Sequence, residues 1–198
     1  VPLNPRFKAK ELRHVISNSD MTALVASDSL LEMPDVVSML EETLPSLASA
    51  GGIELHLAEA PLLRRIVLSG ETSRDWVFNF AALVDLAESV SDELVLYRRA
   101  SVAIRDTAII MYTSGTTANP KGVMLPHEAL VRHGLTIAQT RFDLTKADRV
   151  WSALPLHHIG GMAFFFTCLA AGATYCHTAN FDPGRALVQL QSESCTIA

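Results

Sequence analysis

Cysteine is scarce: Cys168, Cys176 and Cys195 are the three in 198 residues, and they form no C-x-x-C pair. That argues against a disulfide framework or a zinc knuckle and makes a reducing compartment, the cytoplasm, the expectation. Charge is scarce too. Asp, Glu, Lys and Arg make up 19% of residues, and 16 basic against 21 acidic side chains leave a formal net charge of −5. No basic excess is available as a footprint for nucleic acid or an anionic membrane, so neither is an expected partner. Long hydrophobic runs are almost missing. The uncharged run 159–176 reaches only the lower limit of about 18 residues for a membrane span, three glycines interrupt it and histidines flank it. It reads as a buried helix followed by a buried strand, and no transmembrane segment is expected. There is no internal repeat or low-complexity tract. The opening Val1-Pro2-Leu3-Asn4-Pro5-Arg6 has neither an initiator Met nor a charged-then-apolar leader and looks like mid-domain sequence.

What is present is a core-forming composition, 49% hydrophobic, arranged as alternating strands and helices. Residues 8–18 read as a helix and 22–26 as a short buried strand. Pro34 and Asp35 open a second helix with an apolar stripe at Val37, Leu40 and Leu44, and Pro45 ends or kinks it. Residues 65–68 read as a strand stopped by Ser69-Gly70, 76–87 as a helix, and 90–106 as a polar connecting loop. The run 107–112 has no helical face and reads as a strand buried on both sides. A helix over 127–142 carries the stripe Val131, Leu135, Ala138 and Phe142. A strand at 149–154, a helix at 161–171 and a strand at 173–177 follow. Asp182-Pro183 then supplies an N-cap and a first-turn proline for a helix to about residue 191, and 195–198 looks like the start of a further strand. This order implies an α/β fold, a mostly parallel sheet flanked by helices, with a subdomain boundary expected near 144–149. Such sheets bind ligands at the carboxyl ends of their strands.

After Tyr112 comes Thr113-Ser114-Gly115-Thr116-Thr117-Ala118-Asn119-Pro120-Lys121-Gly122. Gly115 lets backbone N–H groups converge on an anion, the hydroxyls donate to phosphate oxygens, and Lys121 adds a mobile cation. A Walker A loop is excluded. In that register Pro120, which has no N–H, replaces the second glycine, and Gly122 replaces the Ser/Thr that holds magnesium. No G-x-G-x-x-G fingerprint occurs in the chain.

Tyr112 to Gly122 resembles the signature of adenylate-forming enzymes, Y-T-S-G-T-T-G-x-P-K-G, departing from it at Ala118. At that position a non-glycine residue is strained by about 1–2 kcal/mol if the backbone needs positive φ. Val1 to Arg6 and Pro126-His127-Glu128-Ala129-Leu130 resemble further segments of that superfamily. Leu154-Pro155-Leu156-His157-His158-Ile159-Gly160-Gly161 resembles the version found in acyl-CoA synthetases and luciferases rather than in peptide-synthetase adenylation domains. The resemblance implies part of an N-terminal AMP-binding domain, spanning 1–198 and lacking the C-terminal domain. It implies an AMP-forming acid–thiol ligase that uses ATP, Mg2+ and CoA on a small carboxylic acid, a fatty acid being expected. The piece alone is expected to be inactive. Alternatives are a nucleotide-binding fragment or scaffold without turnover, a luciferase-like enzyme, or a peptide-synthetase adenylation domain. By the same resemblance Thr113, Ser114, Gly115, Thr116, Thr117, Lys121 and Gly122 bind nucleotide, Lys121 neutralises the departing pyrophosphate, and His158 lines the acyl pocket beside the carboxylate.

The other histidines read more plainly. His14, His56, His133 and His177 are isolated surface or packing residues, and His127 begins a helix. Adjacent His157 and His158 point to opposite sides of an extended segment, which argues against a metal site. Phe164, Phe165 and Phe166 point in three directions from a helix and are mostly core.

Overall fold

The computed structural model describes residues 1–28, 35–72, 74–113, 119–178 and 181–198. They divide into two compact units. The first holds residues 3–102 and 112–123, the second residues 103–111 and 124–198.

In the first unit, α1 (Ala9–Asn18) begins where Glu11 accepts from the Lys8 N–H at 3.0 Å, and it buries Ala9, Leu12, Val15 and Ile16. It packs on α2 (Val36–Thr43). Asp35 caps α2 by accepting from the Ser38 N–H at 2.9 Å, and hydrogen bonding to the Ser38 side chain first, and to its N–H second, holds the Asp35 carboxyl below its ordinary range. Pro34 lies outside the described residues. Arg13 from α1 donates to the carbonyls of Thr43 and Glu42, at 2.6 and 3.0 Å, which satisfies the last turn of α2. Pro45 then opens a 3-10 turn, Pro45–Ser49, because it cannot continue the helix.

The sheet of this unit is parallel, in the order β1 (Ala23–Ser27), β2 (Arg65–Ser69), β3 (Val77–Asn79). Central β2 buries Ile66, Val67 and Leu68, whereas β1 buries only Leu24 and leaves Val25 exposed, so β1 is not the fully buried strand its composition suggests. Helical periodicity also misleads at 76–87. Residues Val77–Asn79 pair with β2, and only then does Asn79 cap α3 (Phe80–Ala87) through the Ala81 N–H at 2.7 Å. The segment expected as a loop contains α4 (Asp92–Ala100). None of its residues is buried, which is why no apolar stripe marks it. Ser91 caps it, and acids in its first turn (Asp92, Glu93) and Arg98 and Arg99 in its last complement the helix dipole.

β4 (Thr107–Thr113) and β5 (Lys121–Pro126) form a separate two-stranded sheet. Met111 is the only buried residue of β4, which corrects the expectation of burial on both faces.

In the second unit, α5 (His127–Ile137) continues into a wider π turn, Ala138–Phe142, and packs on α6 (Ile159–Ala171). The buried line is Leu130, Gly134 and Ala138; Ala138 belongs to the expected stripe, whereas Leu130 and Gly134 take the inward places one residue before Val131 and Leu135. Val131 and Leu135 are 48% and 40% exposed and line an apolar groove with Phe166 and Leu169. Gly134 decides this, because a Cβ there would fall 2.6 Å from the Phe166 carbonyl oxygen. β6 (Arg149–Ser152) and β7 (Thr174–His177) are parallel, and Ile197 bridges to Val150 where a strand was expected to begin. α7 (Pro183–Ser192) starts at Asp182, which accepts from the Arg185 N–H at 2.8 Å. The uncharged run 159–176 is α6 followed by most of β7, and no described helix is long and apolar enough to cross a membrane. All three cysteines are free, and burial, then neighbouring Cys176, pushes the Cys168 thiol up to about 11.

Two glycines are therefore expected to tolerate no side chain. Gly134→Ala meets the Phe166 backbone, and Gly161→Ala would place Cβ 2.3 and 2.4 Å from the carbonyl oxygens of Leu154 and Pro155. Each is expected to cost about 1–3 kcal/mol, read as a lowered urea midpoint. Gly51→Ala, with nothing within 4 Å, is the control and should leave the midpoint unchanged.

Candidate functional site

Strand β4 carries Tyr112 and Thr113 to the start of the Ser/Thr-rich loop, and β5 begins at Lys121 on its far side. Ser114, Gly115, Thr116, Thr117 and Ala118 lie outside the described residues. Thr113 Oγ1 donates to the Lys121 carbonyl at 3.5 Å, the long limit for such a bond. Lys121 and Gly122 are the first residues of β5 rather than loop residues, so the lysine rises from a strand whose pairing fixes its backbone. The Lys121 side chain is exposed and has no ion pair among the described residues.

Two residues read as unremarkable in the sequence stand beside this loop. Asn18 Oδ1 accepts from the Tyr112 hydroxyl at 2.7 Å, and His14 Nε2 lies 3.0 Å from the Pro120 carbonyl oxygen. The His14 ring also stands edge-on to Tyr112, with centroids 6.5 Å apart. Burial raises the Tyr112 phenol above its ordinary value, so it stays protonated and able to donate. A polar pair four residues apart at the rim of α1's apolar stripe was the available signal, but periodicity alone does not say what such a rim faces.

In the second unit, His157 and His158 follow the tight turn 154–158, closed by the His158 N–H donating to the Pro155 carbonyl at 3.0 Å. His158 is the N-cap residue of α6, and its side chain is exposed and makes no capping bond, whereas His157 is half-buried and has an interaction of its own. Of the pair, His158 is the one open to a ligand. His177, an isolated histidine in the sequence, has a structural role: its Nδ1 lies 3.1 Å from the Ser152 carbonyl and its ring stacks on Tyr175. Phe164, Phe165 and Phe166 are all half-buried, Phe164 against Phe142 and Phe165 against Tyr175. No group of three His, Cys, Asp or Glu side chains among the described residues is placed to hold a metal ion.

"Putative acyl-CoA synthetase YngI" of Bacillus subtilis (strain 168) is 30% identical over 200 residues, covering 100% of this chain and 36% of its own length. Feruloyl-CoA synthase of Amycolatopsis sp is 30% identical over 199 residues, covering 100% of this chain and 32% of its own. The chain thus spans about a third of the length of the relatives it matches. The crystal structure of the long-chain-fatty-acid-CoA ligase FadD1 from Archaeoglobus fulgidus superposes with a TM-score of 0.69 at 22% identity, over 98% of this chain and 33% of that one, a likeness of fold. The AMP-binding enzyme family matches residues 1–198, and to that family the chain belongs.

Proposed function

We propose that the protein activates a carboxylic acid with ATP and passes the acyl group to CoA, as an AMP-forming acyl-CoA synthetase. A carboxylate oxygen attacks the α-phosphorus of ATP, pyrophosphate leaves, and the CoA thiol then displaces AMP from the acyl-adenylate. The observation that carries this reading is the sequence Tyr112 to Gly122, which runs from the end of β4 to the start of β5, in a chain matched by the AMP-binding family along its whole length. Bound triphosphate brings about four negative charges, so catalysis depends on donors and cations already in place around it. Thr113, Ser114, Thr116, Thr117 and the backbone at Gly115 grip the β- and γ-phosphates, Gly122 lets the chain pass close beside them, and Lys121 neutralises pyrophosphate as it leaves. Magnesium bound together with ATP would supply further positive charge against the triphosphate.

His158 orients the acid's carboxylate, a role supported by its exposure at the start of α6. The acid is taken to be a fatty acid, on the apolar character of α6 behind that histidine. The cytoplasm is taken as the compartment, on the three free thiols.

The test is acid-dependent exchange of labelled pyrophosphate into ATP by the complete gene product, with fatty and aryl acids offered separately. Exchange with fatty acids is expected, and no exchange with any acid would overturn the activity. Within that assay Lys121→Ala should lower kcat/KM about ten- to hundredfold, because a charge-assisted phosphate contact is worth roughly 1.5–3 kcal/mol. Wild-type kinetics in that variant would remove the phosphate-loop assignment. His158→Ala should impair acyl-AMP formation, while His157→Ala should mainly lower the melting temperature. Equal and small effects of the two on acyl-AMP formation would refute the distinction.

A further inference from the structure

Helix α1 touches the loop at both of its described ends. Asn18 Oδ1 accepts from Tyr112 Oη at 2.7 Å on the β4 side, and His14 Nε2 meets the Pro120 carbonyl at 3.0 Å on the β5 side. The two side chains are one helical turn apart on one face, and each reaches a partner distant in sequence. A carbonyl can only accept, so Nε2 carries the hydrogen of the His14 bond.

The Pro120 contact matters because of what proline lacks. With no N–H, Pro120 offers the backbone one hydrogen-bonding group, its carbonyl. That carbonyl and the Lys121 N–H belong to a single planar peptide unit. Holding the Pro120 oxygen therefore sets the tilt of the Lys121 peptide and the direction in which the lysine leaves the chain. The helix is itself firmly held: Leu12, Val15 and Ile16 are buried and Arg13 is bonded to the end of α2. The edge-on contact of His14 with Tyr112 ties the two clamps together.

We propose that His14 and Asn18 are positioning residues for ATP, with His14 aiming Lys121 at the phosphates through the Pro120–Lys121 peptide and Asn18 holding the end of β4 through Tyr112. This rests on the reading of 112–122 as the phosphate loop.

The test uses the complete gene product and compares His14→Ala, His14→Gln, Asn18→Ala, Lys121→Ala and the double variant His14→Ala/Lys121→Ala. Loss of one such bond should raise the KM for ATP about two- to tenfold. The KM for the acid should stay within experimental error, and His14→Gln, which keeps an N–H donor, should recover part of the loss. In the double variant the effects should be less than multiplicative, because His14 acts through Lys121. Should His14→Ala fail to fold, Asn18→Ala at an exposed position reads the same split between the two KM values. A wild-type KM for ATP in folded His14→Ala and Asn18→Ala, equal losses toward acid and ATP, or independent effects in the double variant would each overturn the proposal. Those results would leave the activity standing, whereas a wild-type protein without exchange removes the activity and this proposal together.

Discussion

Leu40, Leu44, Leu47, Leu55, Leu63, Ile66 and Leu68 are buried almost to the last atom, and with Leu12 and Ile16 of α1 they form one apolar cluster. The candidate site depends on that cluster. Burying a leucine or isoleucine side chain contributes about 1.5–3 kcal/mol, against about 0.5–1.5 kcal/mol net for a hydrogen bond. Apolar burial therefore decides how α1 is rotated, and the polar contacts form on the face that this rotation presents. A shift of one residue would turn the helix by about 100° and carry His14 and Asn18 away from Pro120 and Tyr112.

The second unit obeys a different constraint, close approach of main chain to main chain. Gly134 lets α5 come against the Phe166 backbone, and Gly161 lets α6 begin directly beneath the carbonyls of Leu154 and Pro155. The second contact seats the turn from which His158 enters α6, so the histidine's exposure at the helix start follows from a residue three positions further along. Dense packing leaves no room to absorb a methyl group at either place.

Elements with chemical punctuation were legible in the sequence. Asp182-Pro183 announced α7, Asp35 announced α2, Pro45 marked its end, and Ser69-Gly70 closed β2. Elements defined by partners were not. Val77–Asn79 is a strand because β2 lies beside it, and α4 is a helix through local capping and end charges rather than through an apolar face. On α5 the larger residues Val131 and Leu135 had the stronger claim to the core by hydropathy, yet the smaller Gly134 took the inward position because it permits the shortest distance to α6.

The sequence by itself determined the chemistry on offer: hydroxyls, a glycine and a lysine in the order Thr113 to Gly122, a His157-His158 pair before an apolar helix, and an α/β alternation to carry them. Covalent order is enough for that, since residue types and short spacings set which groups can donate, accept or neutralise. Tertiary structure alone decided that Lys121 springs from a strand, that His158 rather than His157 is exposed, and that His14 and Asn18 stand at the two ends of the loop. These contacts join residues 94 and 106 positions apart in the chain. No local preference encodes such a meeting. It exists because the leucine core fixes one face of α1 inward and so leaves the adjoining face with nowhere else to point.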